Sequence, residues 1–370
     1  MSGREQMQAV TTILHLIPTL SGGGAERQLA MLAVEQAKRG LKVHVGVRRG
    51  GMYEEPLRAH GVTVRLLGDC RGLNPILLVR IKAWLEEVRP DVVQTWLPQM
   101  DILGGVASLW RSVPWVLSER ASAPAFRRSS GATWIRRALG RYAAAVIANS
   151  RAGAEYWRNT HPLESRVTIV SNAVDTDAIH AAVPLQSSPD RRKLLLVVGR
   201  LDHQKAVDVV LRAIALLPDD GDLRVLVLGD GPLRAQLAQL VEAQQLRSRV
   251  QMWPFQKDWW GLLKAADLLV SMSRYEGHPN VVLEAMAAGC PLVVSDIPEH
   301  REFLSEQSAL LVPPEDSAAL AAAIAAALAD PPSCHARARS AADRVSGLTI
   351  QAAADAYQLI YGQATSERLN

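Results

Sequence analysis

The sequence predicts two doubly wound α/β domains in tandem, each built on a parallel sheet. Strand-length apolar runs alternate with helix-period segments along nearly all 370 residues. The length suits roughly two ordinary domains, and one polar, strandless stretch divides the runs into two series. Runs that are apolar throughout, and not merely at alternate positions, fit sheets covered on both faces by crossover helices.

The first series is TTILHLIPT (11–19), KVHVGV (42–47), VTVRLL (62–67), DVVQTWL (91–97), PWVLSE (114–119), AVIANS (145–150) and VTIVSN (167–172). The second is KLLLVVGRL (193–201), LRVLVLGD (223–230), RVQMW (249–253), DLLVSMS (267–273), PLVVSD (291–296) and ALLVP (309–313). After the first strand, Leu29, Leu32, Ala33 and Ala37 fall on one face of a helix that stops at Gly40. The strandless DTDAIHAAVPLQSSPDRR reads as a linker, giving a first domain over 1–174, the linker over 175–192 and a second domain over 193–347. The remainder, 348–370, carries the helix LTIQAAADAYQLIYGQA, which has no later element to pair with and is expected to cross back onto the first domain.

Composition narrows the class. With 48% hydrophobic residues each half can bury a core. Cys70, Cys290 and Cys334 show no metal-ligand spacing, and an odd scattered set fits a reducing compartment. The apolar runs fall short of the roughly 20 residues that span a bilayer, and MSGREQMQAV lacks a signal peptide's apolar core. These features point to a soluble cytoplasmic chain. The formal charge of +4 is modest, but Arg120 to Tyr142 holds six arginines and no acid, with Phe126, Trp134, Ile135 and Leu139 among them.

Many activities share such folds, yet ligands bind beyond the carboxyl ends of the strands, so motifs there carry weight. SGGGAER, Ser21–Arg27, opens the first helix, where glycine amides and the helix dipole favour an anion. A dinucleotide fingerprint would need glycine at Arg27 and an acid where the second strand ends in Arg48 and Arg49. A tight turn with no ligand is the plainer reading. Arg200 and Lys205, after the first strand of the second domain, form a candidate diphosphate clamp, or else are solvated loop charges. Gly229 and Gly231 read mainly as turn chemistry before Pro232.

The most informative run is SRYEGHPNVVLEAMAAGCPLVVSD, Ser273–Asp296. Pro279 and Asn280 mark a helix start, which puts Glu276 in the loop before it and Glu284 about a turn in, both facing the mouth of a cleft. Two acids could be a glycosidase pair, but a carboxylate also accepts hydrogen bonds from vicinal sugar hydroxyls. Beside a phosphate clamp, hydroxyl recognition is the more economical role. An ordinary intrahelical salt bridge is the alternative for Glu284.

Taken together these residues resemble glycosyltransferase family 4, the retaining nucleotide-sugar transferases of the GT-B fold, in which two Rossmann-like domains face a central cleft. The likeness runs through LSGGGAERQL, IANS, VSNAVD, VVGRL…QK, LGDGPLR, SRYEGHPNVVLEAMAAGCPLVVSD and ALLVPPED, and is most specific where seven residues separate Glu276 and Glu284. It implies that Glu284 accepts hydrogen bonds from the nucleotide ribose and Glu276 from hydroxyls of the transferred sugar. Arg200 and Lys205 stabilise the departing diphosphate. Gly23 and Gly24 line the acceptor side of the phosphate site, and Gly231, Gly277, His278 and Asn280 complete the donor set. No metal or other cofactor is implied, because the two cations do that work. Attack from the front face, with the leaving phosphate taking the acceptor proton, is the usual account of retention.

Two departures matter. Lys205-Ala206 replaces the common Lys-Gly, a small packing change with little expected consequence. WVLSERASA lacks a histidine that many members carry, so either Glu119 or Arg120 takes its orienting role, with Glu119 expected to face the cleft, or the acceptor differs. Trp96, Gln99 and Asp101 are candidate acceptor residues, although Trp96 also suits a core. In this setting residues 120–142 suggest docking to an anionic membrane, with Trp134, Ile135 and Leu139 on one helical face. A helix packed on its own domain is the alternative, and no nucleic-acid motif accompanies the charge.

The resulting expectation is a metal-independent, retaining hexosyltransferase using a UDP-sugar. It would extend a lipid-linked glycan in cell-surface polysaccharide or glycolipid synthesis, at the inner face of the cytoplasmic membrane. A nucleotide-sugar epimerase of the same architecture, releasing a free altered sugar, and a non-catalytic nucleotide-sugar-binding partner are the competing readings.

Overall fold

A computed structural model describes residues 10–120, 131–160, 166–185, 192–219, 221–256 and 259–366. The chain divides into two compact units, Met1–Ala173 with Ile350–Asn370, and Val174–Thr349. Both are parallel-sheet α/β folds.

In the first unit the strands are β1 (Thr12–Thr19), β2 (Lys42–Arg49), β3 (Thr63–Leu66), β4 (Val92–Trp96), β5 (Trp115–Glu119), β6 (Ala145–Ala148) and β7 (Val167–Ile169). They pair in the order β3-β2-β1-β4-β5-β6-β7. Ile17, Val45 and Val47 bury on one face of the sheet and Leu14, Leu16 and Val93 on the other, which is why the strands are apolar throughout. Leu29, Leu32 and Ala33 of helix Gly24–Lys38 pack into the first of these cores. The C-terminal helix Ile350–Ser366 belongs to this unit, as expected: its Tyr357, Ile360 and Tyr361 enter the same core, and the Tyr361 hydroxyl donates to Gln94.

The second unit has β8 (Lys193–Val198), β9 (Leu223–Leu228), β10 (Val250–Trp253), β11 (Leu268–Ser271), β12 (Leu292–Ser295) and β13 (Leu310–Val312), paired in the order β10-β9-β8-β11-β12-β13. Strand order reverses between β8 and β11, which lie side by side through Leu195–Leu268 and Leu196–Leu269. Such a reversal opens a crevice at the carboxyl ends of the two strands.

The stretch expected to be a linker folds with the second unit from Val174 onward. Asp175 Oδ1 caps helix Thr176–Ala181 by accepting from the Ala178 amide at 3.1 Å, Ile179 is fully buried, and Lys264 Nζ donates to the carbonyls of His180 and Ala182 at 2.6 and 2.9 Å. The rest of that stretch, 186–191, lies outside the described residues. Among the described residues no single helix is long and apolar enough to cross a membrane.

Candidate functional site

The reversal between β8 and β11 brings together residues far apart in sequence. Beyond β8 the chain turns through a short 3₁₀ segment, His203–Lys205, begun by Asp202, whose side chain accepts from the Lys205 amide at 3.3 Å. Beyond β11 it passes through Ser273 to Glu276 before helix Asn280–Ala287. There Lys205 Nζ donates to Glu276 Oε1, the Ser273 hydroxyl donates to the same oxygen, and Gln204 Nε2 donates to Oε2 at 3.1 Å. Glu276 is buried, whereas Lys205 keeps 20% of its side chain in solvent. A buried carboxylate held by an ammonium that still reaches water can meet a polyhydroxylated, anionic ligand without either charge being stranded.

Behind this pair lies a strut absent from the sequence reading. The Ser295 hydroxyl, at the end of β12, donates to the Ser273 carbonyl at 2.6 Å, and His300 Nδ1 stands 2.7 Å from the Ser295 carbonyl. Ser273, Ser295 and His300 are fully buried. Burial lowers the His300 pKa, so the ring is neutral and Nδ1–H is the donor. Glu299 is buried too, and burial raises its pKa against hydrogen bonds from its own amide and that of Glu276. Serine or histidine just past an apolar strand end was the signal available in SRYE and SDIPEH.

Glu284 lies in helix Asn280–Ala287, as expected, and accepts from Trp260 Nε1 at 3.2 Å. It is buried, not set at a surface, and Trp260 is a second residue the sequence reading missed. Asn280 is the first residue of that helix, Gly277 is half-buried before it, and the His278 ring stands edge-on to Phe303 at 5.1 Å. Arg200 differs from Lys205: its side chain is 72% exposed and its nearest acid is Asp202, at 3.6 Å. The structure therefore joins Lys205 directly to Glu276 and leaves Arg200 reaching from the same loop. Gly231 has a packing reason, since a Cβ there would lie 2.4 Å from the Leu201 carbonyl oxygen, where the loops after β8 and β9 cross. The helix that follows begins at Arg234, two residues past Pro232.

Ala206 is more than a packing change. Its φ of +46° and ψ of 38° place it in the left-handed region, where an L-residue is strained and glycine is not. Its methyl group is buried in the core formed with Val209 and Val210, which offsets part of that strain.

In the first unit the glycine loop is already engaged. Gly23 caps helix Gly24–Lys38, but the Gly23 amide, the Ser21 amide (3.2 Å) and the Thr19 hydroxyl all donate to the Glu26 carboxylate. The anion favoured by this helix start is supplied by the chain itself.

Glu119 is corrected outright. Its side chain does not face solvent: it is fully buried at the end of β5, accepting from Arg136 Nη1 at 2.7 Å and Trp157 Nε1 at 2.9 Å. Arg136 Nε donates at 2.7 Å to Asp101, also fully buried. Burial pushes the Asp101 pKa up to about 6 against the pull of Arg136. Burial pulls that of Arg136 down, but the charges of Glu119 and Asp101 outweigh it and hold the guanidinium ionised. Arg120 also turns inward, donating to Asn172 Oδ1 at 2.7 Å and to the Tyr357 hydroxyl, its guanidinium 4.6 Å above Trp96. Trp96 is core, its Nε1 directed to His15, and Gln99 donates to the Gly72 carbonyl at 2.6 Å.

Among the described residues of 120–142, Trp134 and Leu139 do not share the one outward helical face expected for membrane docking. Residues 121–130, with Phe126, lie outside the described residues. In helix Gly131–Gly140, Arg136 is buried, Leu139 packs on the core beneath, and Trp134 points to solvent.

Comparisons with known proteins agree with this architecture. A family model described as Glycosyltransferase Family 4 matches residues 22–178, and one described as Glycosyl transferases group 1 matches 184–344. The chain is 31% identical over 230 residues to alpha-D-kanosaminyltransferase of Streptomyces kanamyceticus, covering 59% of this chain and 58% of that protein. It is 28% identical over 152 residues, 41% of each chain, to N-acetylgalactosamine-N,N'-diacetylbacillosaminyl-diphospho-undecaprenol 4-alpha-N-acetylgalactosaminyltransferase of Campylobacter jejuni. The matches thus span about half the length of these relatives. The structure of Anabaena Alr3699/HepE in complex with UDP and glucose superposes with a TM-score of 0.82, at 21% identity, over 93% of this chain and 97% of that one, a likeness of fold. Each unit thus carries its own family match, and Glu276 of EGHPNVVLE meets the lysine before Ala206 at the switch point: the chain belongs to glycosyltransferase family 4.

Proposed function

We propose that the protein is a metal-independent, retaining glycosyltransferase that moves a sugar from a UDP-sugar to a lipid-linked glycan. The observation that carries this reading is the Lys205–Glu276 contact at the crevice between β8 and β11. Glu276, fixed by Ser273 and Gln204, presents a carboxylate to sugar hydroxyls. Lys205 and the exposed Arg200 supply positive charge for the diphosphate as it leaves, the place where preorganised charge lowers a barrier most. Glu284 takes the ribose hydroxyls. The leaving phosphate oxygen accepts the proton of the attacking acceptor hydroxyl on the same face of the sugar, which preserves the anomeric configuration. With two side-chain cations on the diphosphate, turnover is expected to survive EDTA.

The UDP choice draws on the Anabaena fold relative solved with UDP, and the lipid-linked acceptor on the Campylobacter jejuni relative named for an undecaprenol diphosphate substrate. A thermal-shift screen of UDP-, GDP-, ADP- and dTDP-sugars tests the donor. The matching sugar nucleotide at 100 times its Kd should stabilise the protein by about 2.7 kcal/mol. A screen in which none of them raises the Tm rules the reading out. A product of inverted configuration would remove the retaining mechanism.

A further inference from the structure

We propose that Arg274 is a positioning residue for glycosyl transfer: it holds the backbone of the segment His203–Lys205 so that Lys205 stays in contact with Glu276. That 3₁₀ segment is three residues long and runs straight into Ala206, whose backbone lies in the left-handed region. A turn so short satisfies few of its own carbonyls, and a strained residue beside it persists only where the surroundings fix it. Arg274 does the fixing. Its amide donates to the Gln204 carbonyl at 2.8 Å and its Nη1 to the His203 carbonyl at 2.6 Å. The two carbonyls before Lys205 are thus held by one residue, which lies two positions before Glu276 on the facing loop.

The guanidinium is itself anchored. Nε and Nη2 both donate to the Glu315 carboxylate, Nη2 at 3.0 Å, and Nη2 also stands 3.3 Å from both oxygens of Asp208, in the first turn of helix Val207–Leu216. With 16% of its side chain exposed, Arg274 is shielded from the screening that weakens a surface ion pair. Only the fork of a guanidinium grips a carboxylate with two bonds while a third nitrogen reaches a carbonyl. On its other side the Lys205 stem lies against Gly199, where a Cβ would stand 3.3 Å from Cγ, Cδ and Cε. With the stem confined there, the backbone of 203–204 sets where the ammonium sits. The loop after β11 therefore delivers both Glu276 and the grip on the lysine that meets it.

The kinetic consequence rests on the role proposed above for Lys205; the backbone consequence does not. Arg274→Met should lower kcat by about 10- to 100-fold, with a smaller change in the donor KM, because the diphosphate charge grows as the sugar bond breaks. In a Lys205→Ala background the same change should cost less than about threefold, since no ammonium is left to place. An arginine that merely supports the fold would lower kcat by one factor in both backgrounds, and that result overturns the proposal. Glu315→Gln alters a side chain that is 53% exposed, so it serves if Arg274→Met does not fold. It should lower kcat by about threefold, again only where Lys205 is present. Hydrogen exchange followed by mass spectrometry should show the amides of residues 203–206 opening at least about tenfold more readily in Arg274→Met and measurably more in Glu315→Gln. Wild-type exchange there in both variants also overturns the proposal. Faster exchange in a protein that turns over no sugar nucleotide strikes the proposed donor chemistry and leaves the Arg274 grip on the loop standing.

Discussion

In the first unit Arg136 is sealed between Asp101 and Glu119, whereas in the second Lys205 meets Glu276 with part of its side chain still in water. Both are ion pairs at the carboxyl ends of parallel strands. The sealed cluster has satisfied its cation within the fold. A flexible ammonium at the mouth of a buried carboxylate can change partners when a diphosphate arrives. Burial therefore separates a pair that ties helix Gly131–Gly140 to its sheet from a pair that can act on a substrate. Counting charged residues would not tell them apart.

The largest effect that could break this contrast is on stability. Arg136→Met strands two carboxylates in the interior and should cost about 3–5 kcal/mol, a fall in Tm of roughly 6–20 °C for a unit of this size. A calorimetric loss under about 1 kcal/mol would show the cluster is not sealed in solution. Lys205→Ala should do the reverse, reducing kcat by about 10²- to 10³-fold while the melting curve stays close to wild type. Wild-type turnover in that variant would take Lys205 out of the chemistry.

Acidity sharpens the comparison. The Asp101 pKa stands near 6 in the folded protein and about 3.9 in an unfolded chain, so between these values the folded state binds more protons. The contribution of this group is complete below about pH 4 and is lost as pH rises through 6. Urea midpoints measured across that window should fall less steeply with rising pH in Asp101→Asn than in wild type, and equal slopes would place the titration elsewhere. Smallest of all is Ala206→Gly. Relief of the left-handed backbone is worth about 1 kcal/mol and loss of the buried methyl about 0.8 kcal/mol, so ΔG should stay within about 1 kcal/mol of wild type. A larger change in urea unfolding would mean that one of the two effects has been misjudged.

Every strand run read from the sequence is a strand here, since a sheet covered on both faces needs continuous apolar residues and leaves that mark locally. Glu276 and Lys205 were legible because both follow such runs. Glu119 follows one too, yet its fate depends on Arg136, which comes from a different helix. Residues 175–185 looked like a linker because one short helix and two backbone carbonyls give little periodic signal, though Lys264 holds them to the second unit.

What the residues settled alone was the alternation of strand and helix, the family motif, and the position of each polar group relative to a strand end. These depend on hydrophobic period and backbone geometry, which act over a few neighbours. Which arginine turns inward, that Glu26 fills its own glycine loop, and that Ser295 and His300 brace Glu276 were decided by packing. A buried charge takes the counter-charge nearest in space, and sequence separation does not measure that distance.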